Sequence, residues 1–229
     1  MNNYWVSTSF FILVFVGVFN SARAQGDWEK SPYQGWTKDQ VKSILGNSPW
    51  AKTGDHEYNV LDILKGEEVA TILLRSALPV RQALLRRRQL EAGYDKMSET
   101  NRNLFDEKNK ALLECPACAN YYVVSIFYHT IMLSGPNFVN DRKKFVYLQN
   151  DVGSKRELVN FNPQIKNNNY EAIFFFPRLN EKGESLLNKQ NKKFTFRFDI
   201  RSEDGKGPFP FTKAEFDVSQ ITRNGEVVF

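Results

Sequence analysis

Phe194-Thr195-Phe196-Arg197-Phe198-Asp199-Ile200-Arg201 alternates apolar and polar residues without a break. A period of two puts Phe194, Phe196, Phe198 and Ile200 on one face of a strand and the polar residues on the other. The segment therefore reads as a half-buried antiparallel strand with one wet face. Shorter runs at Phe145 to Leu148, Arg156 to Phe161, Tyr170 to Phe176 and Phe216 to Val218 repeat the theme. Turn signals at Asn167-Asn168-Asn169, Glu181-Lys182-Gly183 and Asp204-Gly205 separate them. Upstream, Tyr121 to Ile131 is nearly all apolar and rich in β-branched and aromatic residues, which predicts a central strand covered on both faces. Residues 121–229 thus form a phenylalanine-rich antiparallel region, a sheet or a sandwich.

Residues 36–120 have a different texture. Thr37 and Gln40 form a capping box ahead of Val41, with Trp36 placed to staple against Val41, so a short helix starts at Lys38. It should stop at Leu45, because Gly46 suits the left-handed position after a helix and Pro49 cannot continue one. Tyr58 to Leu64 and Val69 to Arg75, joined by Lys65-Gly66-Glu67-Glu68, read as a hairpin. Pro79 opens a helix with Val80, Ala83 and Leu84 on its apolar side and Gly93 as its stop. A second helix, Glu99 to Glu114, is capped by Ser98 and carries Leu104, Phe105, Leu112 and Leu113. Together these elements predict an α+β fold in which N-terminal helices and a hairpin pack on a C-terminal antiparallel β-sheet or sandwich.

At the N-terminus, an apolar run from Phe10 to Phe19 precedes Ser21-Ala22-Arg23-Ala24-Gln25. The run is too short to span a bilayer as a helix, and Ala22 and Ala24 are the small residues a signal peptidase needs. Residues 1–24 therefore read as a signal peptide cut after Ala24, and 25–35 as a flexible leader. Export to the periplasm or the outside follows, with no transmembrane span in the mature chain. Cutting 24 of 229 residues leaves 205, enough for one domain with a sizeable core. A hydrophobic content of 41% and 19 Phe exclude a disordered chain. The net charge of +5 falls to +4 with loss of Arg23 and is scattered, so nucleic-acid binding is not expected.

Cys115-Pro116-Ala117-Cys118 is the one chemically pointed motif. In an exported protein its two thiols, the only ones present, are expected to form a structural disulfide. Thiol-disulfide exchange is the alternative, although here the motif follows a helix instead of opening one. Metal binding would need two further ligands, and His56 and His129 are not in a paired spacing, so neither a metal nor a cofactor is expected. No Gly-x-Ser-x-Gly, His-Glu-x-x-His or phosphate-cradling glycine loop occurs, and no catalytic residue is assigned. The acid pairs Glu67-Glu68 and Glu203-Asp204 lie in predicted turns. Arg86-Arg87-Arg88, with Arg81 upstream, is the densest positive cluster. It reads as a solvated face or, with Trp36 and Trp50, as a contact surface for a protein, a glycan or an anionic surface. Phe229 is read as closing a soluble strand.

The segments Gly35-Trp36-Thr37 through Val41, Ile44-Leu45, Ser48-Pro49-Trp50-Ala51-Lys52 and Ser76-Ala77-Leu78-Pro79-Val80-Arg81, with the Cys115 to Cys118 motif, resemble a group of uncharacterised exported bacterial proteins. The resemblance implies a bacterial exported protein and transfers no catalytic or binding residue. The functional expectation is a non-enzymatic binding or structural protein of the cell envelope. Its alternatives are a thiol-disulfide oxidoreductase using Cys115 and Cys118 and a secreted hydrolase with a non-standard site.

Overall fold

A computed structural model describes residues 27–53, 55–56, 71–128, 143–166, 169–198, 212–223 and 226–228. The signal peptide with its cut after Ala24, the hairpin loop and first strand at 58–68, both acid pairs, His129, Asn167-Asn168, Asp204-Gly205 and Phe229 lie outside these residues.

Three α-helices are described: α1 (Lys38–Gly46), α2 (Leu78–Glu91) and α3 (Glu99–Glu114). The strands in chain order are β1 (Ala51–Thr53), β2 (Asp55–His56), β3 (Thr71–Leu74), β4 (Tyr121–Tyr128), β5 (Val146–Asn150), β6 (Lys155–Glu157), β7 (Asn160–Lys166), β8 (Asn169–Pro177), β9 (Lys193–Phe198), β10 (Thr212–Asp217), β11 (Thr222–Arg223) and β12 (Glu226–Val227). This is an α+β fold with antiparallel sheets. Local chemistry sets the helix starts. Gln40 N–H donates to Thr37 Oγ1 at 3.2 Å and Thr37 N–H to Gln40 Oε1 at 2.8 Å, completing the capping box. Ser98 caps α3, and Gly93, at φ +67°, takes the left-handed position after α2. Gly46 does not take that position. It is the last residue of α1, and the turn beyond is held by Asn47 N–H and Ser48 Oγ, which donate to the carbonyls of Ser43 and Ile44 at 2.8 and 2.7 Å.

Two five-stranded sheets carry the fold, with strand orders β1-β3-β4-β8-β7 and β2-β10-β9-β5-β6. β4 is central in the first, as the apolar run predicts. Its register sets Tyr122 opposite Phe176 and Val124 opposite Phe174, so all four share one face. Phe194, Phe196 and Phe198 of β9 are buried in the second sheet. Phe174 meets the rings of Phe196 and Phe198 at 5.7 and 5.4 Å between centroids, and Phe176 meets Phe196 at 6.0 Å, which locks the sheets face to face. Phe194 stacks on Phe216 of β10 at 4.9 Å.

The β structure is not confined to residues 121–229. β3 pairs on one edge with β1 and on the other with β4, so residues of both halves of the chain share one sheet. β1 and β4 thus occupy both edges of β3, and the expected hairpin partner at 58–64 lies outside the described residues. Strands also change sheet. β1 and β2 are one residue apart yet pair with β3 and with β10 respectively. The run from Arg156 to Phe161, expected as one strand, breaks in the same way: Leu158 N–H donates to Val146 of the second sheet and Val159 N–H to Phe175 of the first. The two corners close both edges of the sandwich.

The helices lie against the other face of the first sheet. The Arg87 guanidinium of α2 sits 5.8 Å over the Phe127 ring, and Ser76, just before α2, hydrogen-bonds both backbone groups of Val123. Leu104 of α3, by contrast, is 66% exposed, while Leu112 packs against the core.

Two substitutions separate ring packing from simple burial. Phe196→Ala should cost about 3–5 kcal/mol by opening a cavity between the sheets. Ser125→Ala, which removes a fully buried hydroxyl without a hydrogen-bond partner among the described residues, should be neutral or stabilise by up to about 1 kcal/mol. Urea unfolding of each variant checks both; destabilisation by Ser125→Ala matching that of Phe196→Ala would mean that the lost ring volume does not set the cost and that the Ser125 hydroxyl is bonded.

Candidate functional site

Trp36 and Trp50, expected at a contact surface, are 3% and 0% exposed. Trp28 packs edge-on against both, with centroids 5.5 and 5.8 Å away. Both indole N–H groups are used internally: Trp36 Nε1 donates to the Trp28 carbonyl at 2.9 Å and Trp50 Nε1 to that of Val228 at 3.1 Å. These two side chains form core, not a docking surface. The same contacts correct the expected leader 25–35, which from Asp27 onward is docked in two 3₁₀ turns because Trp28 needs burial.

The arginine run is divided among three environments. The Arg86 side chain is 7% exposed and makes a two-pronged ion pair with Asp95, both Nη–Oδ distances being 2.9 Å. Its Nε donates to the Trp36 carbonyl at 3.0 Å, so it fastens α2 to the segment before α1. Arg88 donates to Asn109 Oδ1 of α3 at 2.9 Å, and burial pushes its pKa down, with Arg75 adding to the effect. Arg81 donates to the Leu113 carbonyl at the negative end of α3. Arg87, its side chain 43% exposed, faces solvent, and Arg81 and Arg88 are half-buried. A wholly solvated face is thus overturned for Arg86, and the trio does not form one contact surface.

Cys115 and Cys118 form a disulfide. Cys115 ends α3 at φ +48°, a conformation that non-glycine residues seldom adopt. Its carbonyl accepts from Cys118 N–H at 2.8 Å, and Arg178 Nε donates to the Cys118 carbonyl at 2.7 Å. Cys118 packs with Val123 and Ile173, on the sheet face that the helices cover. The carbonyl end of a sixteen-residue helix opposes a thiolate, the reverse of what an attacking cysteine needs.

The feature that sequence reasoning missed is a recess of about 430 Å³ between α1 and α2. Lys38, Val41, Lys42, Leu45 and Gly46 line it from α1, and Arg87, Leu90 and Glu91 from α2. Val41 and Leu45, 3% and 9% exposed, form with Leu90 the apolar floor of this half-open slot. Its local signal was present: Lys38 and Lys42, one turn apart, flank Val41 and Leu45 at the same spacing. Among the described residues no group of acidic, His or Cys side chains could hold a metal ion, and no helix is long and apolar enough to cross a membrane. Comparison with protein-family models, curated proteins and solved structures finds no match to this chain.

Two predictions follow from these residues. The hydrogen bonds from Arg86 hold the Asp95 carboxyl below the ordinary carboxylate range. A depressed folded-state pKa contributes stability above the unfolded value, near 3.9, and loses it as pH falls through the folded value. Asp95→Asn should therefore lower stability at pH 7 by at most about 1 kcal/mol, since the Asp95 end is exposed and screened, and the gap should close at pH 2 to 3. Urea midpoints at the two pH values read this; a gap independent of pH would deny the ion pair. Replacing both cysteines by serine should cost at most about 2 kcal/mol, because the closed loop is so short. A much larger loss of the urea midpoint would mean that the bridge sets more than the α3 to β4 junction.

Proposed function

We propose that this chain is a non-enzymatic binding protein of the bacterial envelope, exported by cleavage after Ala24, and that it takes its ligand in the α1–α2 slot. The observation that carries the reading is the slot itself, whose volume of about 430 Å³ lies in the range of ligand sites and whose floor is apolar beneath a few charged groups. The apolar N-terminal run with Ala22 and Ala24 supports export. Thiol-disulfide exchange at Cys115 and Cys118 remains the alternative on spacing alone, and insulin reduction by the purified protein tests it; turnover that vanishes in Cys115→Ser would move it to the front.

Gly46 supplies the direct test of the slot. A Cβ there meets only open space, and its φ is not in the left-handed region, so Gly46→Phe fills the recess while improving the helix propensity of α1. The neutral apolar dye Nile red should bind the natural chain at one site and bind Gly46→Phe at least tenfold more weakly, with the circular dichroism unchanged. Equal binding by the two proteins, or none by the natural chain, would remove the slot as a ligand site. The intact mass of protein recovered from an exporting bacterium should begin at Gln25.

A further inference from the structure

We infer that the slot selects a single-chain anionic amphiphile, with an acyl chain on its floor and a carboxylate at its rim; this rests on the slot being a ligand site. Lys38 and Lys42 project from successive turns of α1, and among the described residues no acidic side chain pairs with either. Arg87 adds a third cation from α2. The one acid of the rim, Glu91, lies 4.0 Å from Arg87 and offsets only that charge. Two cations thus face the mouth uncompensated, beside the apolar walls of Leu45 and Leu90 that weaken the screening by water. An anionic head is attracted there and a cationic head repelled. The apolar lining from Val41, Leu45 and Leu90 suits an acyl chain, and the cations at its edge suit an anionic head.

The test is displacement of Nile red from the natural chain by three amphiphiles of equal chain length, each below its micelle concentration: dodecanoate, dodecyl maltoside and dodecyltrimethylammonium. Dodecanoate should displace the dye at concentrations at least tenfold lower than the other two. Affinity should also rise from hexanoate to dodecanoate, by up to about fourfold per methylene until the floor is covered. The double variant Lys38→Glu/Lys42→Glu should reverse the preference, and it is compatible with the fold because both lysines are exposed and Lys38 lies in the first turn, where an acid is favoured. Displacement that ignores the headgroup, or a preference unchanged in the double variant, overturns the anion selectivity and leaves the slot standing as an apolar site. Failure of Nile red to bind the natural chain overturns both readings. An acidic amphipathic peptide that displaces the dye where dodecanoate does not would replace the lipid-like ligand with a protein partner.

Discussion

The interlock of Phe174 and Phe176 with Phe196 and Phe198 is the contact on which the architecture turns. Aromatic rings of this size contribute large buried areas and fix the separation of the two sheets within a narrow range. Once one face of β4 and β8 is committed to the second sheet, only the other can receive the helices. α2 settles there through Arg87 over Phe127 and Ser76 on Val123, and α1 packs beside α2. The slot between α1 and α2 is therefore a product of the sandwich, because the helices meet where the remaining face leaves them room.

Polar groups inside this arrangement act as fasteners. Arg86 reaches a carbonyl before α1 and a carboxylate after α2, so one guanidinium spans three segments. An arginine can do this because its planar fork serves two acceptors on one side while its Nε serves a third. Arg88 with Asn109 performs the same task between α2 and α3. The charge left over for the surface is correspondingly small on α2, and the rim of the slot draws most of its positive charge from the two lysines of α1.

What the sequence discloses is what is decided locally. The Thr37 and Ser98 caps, the Gly93 stop and the alternation through Phe194 to Phe198 each depend on a few neighbouring residues, and each is found where it is expected. The break in Arg156 to Phe161 is invisible, because a strand that crosses from one sheet to the other keeps its alternation through the corner. Arg86 is misread for a related reason: its acceptor, Asp95, lies beyond the left-handed turn at Gly93, and three adjacent cations look solvated until that turn is known. The slot needs the relative placement of two helices whose starts lie 40 residues apart, which the spacing of lysines and apolar residues on α1 does not by itself encode.

The bond from Trp50 Nε1 to the carbonyl of Val228 joins residues 178 apart. Closing so long a loop is entropically slow, and β3 cannot complete its sheet before β4, some fifty residues downstream, is available. A chain wired in this way gains little from folding piecemeal as it emerges. The tryptophan cluster acquires this partner only once residue 228 has been made, so the cluster is nucleated early along the chain and consolidated late.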